Sequence, residues 1–356
     1  MPPGGNGTMA ELREILDLWK RASAAGEDVC LATVVGVEGS AYRRPGARMV
    51  LTASGRRAGT VSGGCLEAEI AKKAWWLTEK GPAIQRYSSF FDDDGDMPYG
   101  LGCGGTVIVL LERGEAAAVC LEAVRRSVDE RTASAIVSGT LAGEAGTRLI
   151  VNAAGETLSA RSTEPKLERL AREALEARSS RTVSGFFVEY VAPPPALTIF
   201  GAGDDARPLV EFADTIGWHV TVADGRANLA RAERFPRVAR VSGLEAALAA
   251  LTPDDAAVVM THSYEQDQLI LRGLLQQDLR YIGVLGPRAR TERLVGEVAS
   301  ELGLEAEACL GRLHSPVGLD LGGHAPAAIA LSIAAELQAV FAGRAKKLSG
   351  EPAVHA

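Results

Sequence analysis

The stretch ALTIFGAGDDARPLVEFADTIGWHVTVAD, residues 196–224, decides how the C-terminal half of this chain folds. An apolar run, ALTIF, ends in Gly201-Ala202-Gly203, and apolar residues at helical spacing follow at once. In such a strand–turn–helix unit the first glycine allows the tight turn and the second lets backbone approach a pyrophosphate. A small third residue, here Ala206, packs helix on strand. The helix N-terminus then turns its N–H groups toward the anion. A second strand, HVTVAD, ends in Asp224 about twenty residues further on, where a carboxylate binds a ribose hydroxyl pair. Asp204 and Asp205 set negative charge beside the anion site, and Arg226 next to Asp224 suits a 2′-phosphate or another phosphorylated ligand. Gly201, Gly203, Asp204, Asp224 and Arg226 are therefore candidate nucleotide contacts, with NAD(P) as the cofactor class. A Rossmann-type fold whose nucleotide site is repurposed or empty is the alternative.

Downstream the alternation continues: a helix over LARAERFP (229–236), a strand AAVVMTHS (256–263), a helix QLILRGLLQQ (268–277), a strand YIGVLG (281–286) and a helix over 290–302. Alternating strands and helices imply crossover connections and a doubly wound parallel sheet. Thr261, His262 and Asp267 fall at a strand end, where open α/β sheets bind ligands. His262 reads either as a proton relay or cofactor contact, or as a loop-capping residue. Arg288 and Arg290 precede a helix and read as a phosphate clamp or as a solvated helix start. The loop HSPVGLDLGGHAP (314–326) carries His314 and His324 toward the same sheet edge, and a helix begins around Pro326.

Upstream, VAPPP (191–195) breaks any regular element and holds the chain extended, which separates a domain over 1–190 from a Rossmann-like domain over 196–345. The first domain mixes sheet and helix. Helical spacing runs through ELREILDLWKRAS (11–23), and DVCLATVVGVEG (28–39) reads as a buried strand. A helix follows over 65–81, then strands IQRYSSF and GGTVIVLLE around a polar loop over 91–103, then two further helices around SAIVSGTLA and TRLIVNA. The fold class is thus α/β: an N-terminal sheet-and-helix domain followed by a doubly wound parallel sheet.

With 38 Lys+Arg against 45 Asp+Glu in 356 residues and no basic stripe, a nucleic-acid partner is disfavoured. No apolar run is long enough to span a membrane, and MPPGGNGTMA lacks the basic-then-apolar order of a signal peptide. A cytoplasmic protein with a short flexible start is expected. Its five cysteines show no CxxC spacing, so reduced thiols rather than disulfides or a zinc knuckle are expected. Cys30, Cys120 and Cys309 read as small buried hydrophobes.

Two cysteines differ. Gly63-Gly64-Cys65 precedes a helix, whose N–H groups would stabilise the thiolate, and Gly102-Cys103-Gly104-Gly105 lets a ligand reach backbone donors as well as sulfur. With Arg43, Arg44 and Arg48 in the turn GSAYRRPGARM, Cys65 and Cys103 suit a phosphorylated, sulfur-rich or metal-bearing ligand, as catalytic thiols or as metal ligands. Gly64 and Gly104 offer the amides.

The motifs GSAYRRPGARM, GTVSGGCLE, GLGCGG, IFGAGDDARPLVEFADTIGWHVTVADGR, THSYEQD, YIGVLGPRAR and SPVGLDLGGHAPAAIALSIAAEL occur in the order found in the XdhC/CoxI family, which the chain resembles from about residue 25 to 340. The resemblance implies an accessory protein that binds the molybdenum cofactor, supports replacement of an oxo ligand by sulfide, and hands the cofactor to a xanthine dehydrogenase-type molybdenum hydroxylase. It implies Cys65 and Cys103 as the cofactor-contacting thiols; a cysteine desulfurase is a further candidate partner, and a homodimer is expected because the second domain must close over the first. Soft thiolates suit molybdenum, and amides and arginines suit the pterin phosphate. Ala41-Tyr42, Gly286-Pro287-Arg288 and His324-Ala325-Pro326 depart from the family's usual residues. The second reading is an NAD(P)-dependent oxidoreductase acting on a small sulfur- or nitrogen-containing substrate, with His262 as proton relay.

Overall fold

The computed structural model describes residues 9–64, 66–88, 105–162 and 164–344. The chain divides into two compact units between Pro194 and Pro195, inside the triple-proline segment. Among the described residues, no helix is long and apolar enough to cross a membrane.

The first unit contains, in chain order, α1 (Met9–Ala24), β1 (Val29–Gly39), β2 (Arg48–Thr52), β3 (Arg57–Gly59), α2 (Glu67–Leu77), β4 (Ala83–Ser88) and β5 (Gly105–Arg113). It continues with α3 (Glu115–Asp129), β6 (Ser134–Gly139), β7 (Arg148–Asn152), β8 (Thr157–Ala160), α4 (Pro165–Ala177), β9 (Arg181–Val183) and β10 (Phe186–Val191). Two five-stranded antiparallel sheets result, ordered β3-β2-β1-β5-β4 and β8-β7-β6-β10-β9. The helices arise from their apolar spacing: Leu12, Ile15, Leu16 and Ala22 form the buried stripe of α1, packed with Leu121 and Val124 of α3. That cluster also takes Leu31 and Val50 from the first sheet and Ile136 and Ile150 from the second. The opposite face of the first sheet packs on Ile70 and Ala74 of α2, and that of the second on Leu167, Leu170 and Ala174 of α4.

Two buried ion pairs link the sheets. Arg48 of β2 grips Glu189 of β10 in a fork, with Nη1 donating to Oε1 at 2.7 Å, and Arg148 of β7 pairs with Glu112 of β5 while donating to Ala116 O at 2.8 Å. Arg48 is 4% exposed, so it is not the solvent-facing phosphate contact that its motif suggested. A guanidinium in that position survives burial only because a carboxylate meets it.

The second unit contains β11 (Ala196–Phe200), α5 (Ala206–Thr215), β12 (His219–Ala223), β13 (Arg240–Ser242), α6 (Leu244–Ala249), β14 (Ala256–Val259) and α7 (Tyr264–Leu275). After these come β15 (Tyr281–Val284), α8 (Arg288–Leu302), α9 (Ala306–Leu310), β16 (Leu313–His314) and α10 (Pro326–Phe341). All six strands are parallel, in the order β13-β12-β11-β14-β15-β16. Alternate side chains face opposite ways: Leu197, Ile199, Val220 and Val222 pack against α5 and α10, whereas Phe200, Ala223 and Val259 pack against α6 and α7. The sheet is therefore doubly wound, as the alternation in the sequence indicated.

LARAERFP departs from expectation. Only Ala232–Arg234 forms a turn of 3₁₀-helix. Pro236 follows within two residues, and so short a segment cannot offset the cost of helix nucleation. Leu229 and Phe235 nevertheless pack into the core.

Candidate functional site

Open α/β sheets bind ligands beyond the carboxyl ends of the strands, where the strand order reverses. Here the reversal falls between β11 and β14, whose loops carry residues 201–205 and 261–263. Gly201 has φ +126°, and a Cβ there would collide with the carbonyl of Met260, so only glycine lets the two loops lie together.

Asp224 fastens that junction. Its Oδ2 accepts the Ala202 N–H at 2.8 Å, and Arg226 binds it through the backbone N–H and Nε (2.8 and 2.9 Å to Oδ1) and through Nη2 (2.8 Å to Oδ2). Arg226 Nη2 also reaches the Thr261 carbonyl at 3.2 Å. The Asp224 side chain is 0% exposed. Burial pushes its carboxyl up, but the Arg226 guanidinium and the two amides outweigh burial and hold it below its ordinary value. A ribose-facing carboxylate, as read from the sequence, would need an open edge, and Asp224 has none.

Asp205 occupies the approach to Gly203. A Cβ on Gly203 would meet Asp205 Oδ1, while Oδ2 lies 2.6 Å from His262 Nε2. Asp204, 85% exposed, pairs with Arg234 at 2.8 Å. His262 sits at φ +59°, a left-handed backbone that costs a non-glycine residue on the order of 1–3 kcal/mol. Buried Thr261 and Asp267 and half-buried Ser263 and Arg290 hold that turn: Thr261 Oγ1 donates to Asp267 Oδ1 at 2.5 Å, Ser263 N–H donates to Thr261 Oγ1 at 3.0 Å, and Arg290 binds Asp267 Oδ2 at 2.7 Å. Thr261, Asp267 and Arg290, read from the sequence as ligand contacts, thus form a clamp on the loop. Beside it lies a pocket of about 240 Å³ lined by Leu209, Met260, Leu285, Ile329 and Ile333, with Asp205 and His262 as its polar members.

Arg288 stands apart, 78% exposed and paired with Glu292 along α8. It is a solvated helix start. His314 stacks on Tyr281 at 4.2 Å and pairs with Glu336 Oε1 at 2.7 Å, while Glu336 Oε2 accepts from the Tyr281 hydroxyl (2.6 Å) and the Gly318 amide (2.7 Å). His324 is exposed in the loop before α10.

In the first unit, Cys65, Cys103 and Gly104 lie outside the described residues. The loop before Cys65 is organised by Glu67, which sequence reasoning missed. Glu67 Oε1 accepts from Thr60 Oγ1 (2.7 Å) and the amides of Val61 and Ser62 (3.0 Å each); Oε2 accepts from Ser62 Oγ (2.7 Å) and the Gly64 amide (2.9 Å). The Gly64 N–H, expected to face a cofactor, is therefore turned inward onto this carboxylate. A carboxylate in the first helical turn behind a Gly-rich loop was the available signal. Glu11 of α1 ties the neighbouring loop to this one: Arg43 binds it through both Nη atoms at 3.1 Å, and the Thr60 amide donates to it at 3.0 Å. Gly105, at the head of β5, pairs with Gly39 and packs backbone to backbone on Ser40. Cys30, Cys120 and Cys309 are buried free thiols.

Residues 22–88 match the XdhC and CoxI family, and residues 197–337 match the XdhC Rossmann domain. A Bacillus subtilis (strain 168) protein named as a probable xanthine dehydrogenase subunit is 33% identical over 325 residues, covering 87% of this chain and 92% of that protein. The chain belongs to the XdhC and CoxI family. This XdhC and CoxI family member is also 25% identical, over 92% of its length and 88% of the relative's, to the molybdenum cofactor insertion chaperone PaoD of Escherichia coli (strain K12). A crystal structure described as a xanthine dehydrogenase from Bacillus halodurans aligns with a TM-score of 0.75 at 29% identity, over 95% of the family member's chain and 98% of the other.

Proposed function

We propose that this chain is an accessory protein for a molybdenum hydroxylase of the xanthine dehydrogenase type. In this reading it holds the molybdenum cofactor in the cytoplasm, assists its sulfuration with sulfur from a cysteine desulfurase, and inserts it into the apo-enzyme. The observation that carries this reading is the convergence of three chain segments at one end of the first sheet. Loop 40–47 leaves β1, loop 60–64 leaves β3, and β5 begins at Gly105. In the sequence Cys65 follows Gly64 directly and Cys103 precedes Gly105 by two residues.

The donor set fits the metal better than the phosphate. Soft thiolates suit molybdenum, whereas Arg48 is buried against Glu189, Arg43 is bound to Glu11, and the Gly64 amide is taken by Glu67. Cys65 and Cys103 would hold the cofactor, which when bound supplies the metal that exchanges an oxo for a sulfide ligand. The chain's own part is to orient that centre and keep it from water until transfer. An NAD(P)-dependent oxidoreductase would need the Rossmann loop to seat a pyrophosphate, and Asp205 and Asp224 both stand against that.

The test is elemental analysis of the full chain purified from a host that makes the cofactor. Molybdenum is expected with the unsubstituted chain and lost in Cys65→Ser and Cys103→Ser, whose thermal unfolding should be unchanged. Equal molybdenum in both variants would overturn the proposal.

A further inference from the structure

We propose that the first unit is an internal duplication: two copies of one fold, joined as a homodimer joins its subunits, of which only the first is shaped to hold a ligand, by Glu11 and Glu67. The part about the ligand rests on the function proposed above, whereas the duplication stands without it.

Three observations carry it. The first is order and register. The successions α1-β1-β2-β3-α2-β4-β5 and α3-β6-β7-β8-α4-β9-β10 are the same, and so are the strand orders, β3-β2-β1-β5-β4 against β8-β7-β6-β10-β9. Leu31 pairs with Val50 on one side and Glu112 on the other, as Ile136 pairs with Ile150 and Glu189, and Thr33 faces Arg48 as Ser138 faces Arg148. The hairpin RMVLTASG (48–55) matches RLIVNAAG (148–155), and Gly55 and Gly155 turn at φ +85° and +82°. The link from helix to first strand also bends at one step in both, through Gly26 (φ +67°) and Arg131 (φ +53°). A shared topology alone would leave these details free.

The second is the joint. Equivalent residues carry the two buried ion pairs crosswise: Arg48 of the first copy meets Glu189 of the second, and Arg148 of the second meets Glu112 of the first. Such reciprocal contact is what a twofold axis imposes on a self-complementary interface. The apolar layer follows the same rule, since Leu16, Leu31 and Val50 share one cluster with their counterparts Leu121, Ile136 and Ile150.

The third is where the copies differ. Ile70 and Ala74 of α2 correspond to Leu170 and Ala174 of α4. One turn before Ile70 stands Glu67, whose carboxylate gathers loop 60–64; one turn before Leu170 stands Leu167, buried among apolar side chains. Glu11, which binds Arg43 and the Thr60 amide, precedes Leu12 as buried Ala116 precedes Ala117. The second copy joins β9 to β10 by Ser184-Gly185 alone. The shared fold therefore forms without either carboxylate, and Glu11 and Glu67 are positioning residues for the loops of the first copy.

The test exchanges residues 48–55 with 148–155 in the full chain, which leaves its composition unchanged. The control exchanges 48–55 with 147–154, one residue out of register, which turns every exchanged side chain to the other face. Swaps among apolar residues of like size are tolerated, so the in-register exchange should lower the thermal midpoint by no more than about 5 °C. The control should lose cooperative unfolding. An in-register exchange that melts no better than the control would overturn the duplication. A second variant, Glu11→Ala with Glu67→Leu, gives the first copy the residues of the second. Amide hydrogen exchange at Thr60, Val61, Ser62 and Gly64 should quicken at least about 10-fold, the scale of a lost hydrogen bond to a charged group, while residues 48–55 stay as protected as before. Below its midpoint this variant should lose the molybdenum that the in-register exchange retains, whereas lower stability alone would not release it from a folded chain. Unchanged protection, or full retention of molybdenum, would overturn the positioning role. If the unsubstituted chain holds no molybdenum, the function proposed above fails, the exchange still decides the duplication, and amide protection decides the role of the carboxylates. Should the pair not fold, Glu11→Ala alone is read at the Thr60 amide.

Discussion

The Ser62 hydroxyl donates to Glu67 Oε2 at 2.7 Å while the Ser62 amide donates to Glu67 Oε1 at 3.0 Å, so one residue of the loop is bound to both oxygens of the carboxylate that opens α2. Burial pushes the Glu67 carboxyl up, but the hydrogen bonds from Ser62 and Thr60 outweigh it and bring it to about 2. A carboxylate lowered on folding contributes stability that is present above its unfolded value and lost as the pH falls through the folded one. Glu67→Gln should therefore destabilise the chain by about 2–4 kcal/mol at neutral pH, because an amide turns a donor toward donors. Between about pH 4.5 and 2, the pH slope of urea-unfolding stability should be shallower in the variant than in the unsubstituted chain. An identical slope would remove Glu67 from this role.

Arg48 and Glu189 make a separable test of the joint between the two sheets. Arg48→Met alone strands a buried carboxylate and should cost about 3–5 kcal/mol, as should Glu189→Leu alone. The double substitution should recover most of that loss, because two apolar chains need no partners. Denaturant unfolding of all four proteins gives the coupling directly.

Asp224→Ala should act on stability before it acts on any ligand. The change releases the Ala202 amide and leaves Arg226 without its carboxylate. A loss of about 2–3 kcal/mol follows from an unsatisfied buried donor together with a lost charge-assisted bond. Hydrogen exchange should quicken at Ala202. Because the folded carboxyl is lowered, this contribution is present at neutral pH and falls away in acid, below the ordinary aspartate range.

Thiol labelling distinguishes the cysteines. Burial pushes the Cys30 thiol up to about 12 and raises that of Cys120 as well. At pH 8 an alkylating reagent should leave both unmodified in the native chain and modify both after unfolding, with mass spectrometry of peptides as the readout. Modification of Cys120 in the native protein would contradict its burial.

Much of the fold was legible because its signals are local. Short apolar runs mark β11, β12, β14 and β15, period-3.6 patterns mark helices between them, and Pro326 at the first turn marks α10. β10 was not legible: FFVEYV carries Glu189, a charge that looks misplaced in a buried strand until Arg48, 141 residues away in sequence, is seen to meet it. The three-residue strands β9 and β13 are too short to show a period. Gly201 and His262 stand at the strand-end loops, the positions that the alternation of strands and helices gave them. The roles of Asp205 and Glu67 were not legible, since a carboxylate folded back onto its own loop has the same sequence signature as one aimed at a ligand.

The left-handed backbone at His262 also bears on engineering. Glycine adopts that conformation freely, so His262→Gly should make the protein harder to melt, by roughly 1 kcal/mol. A tougher fold is thus a single substitution away, and a screen for thermal tolerance would find it while erasing the imidazole from the crevice.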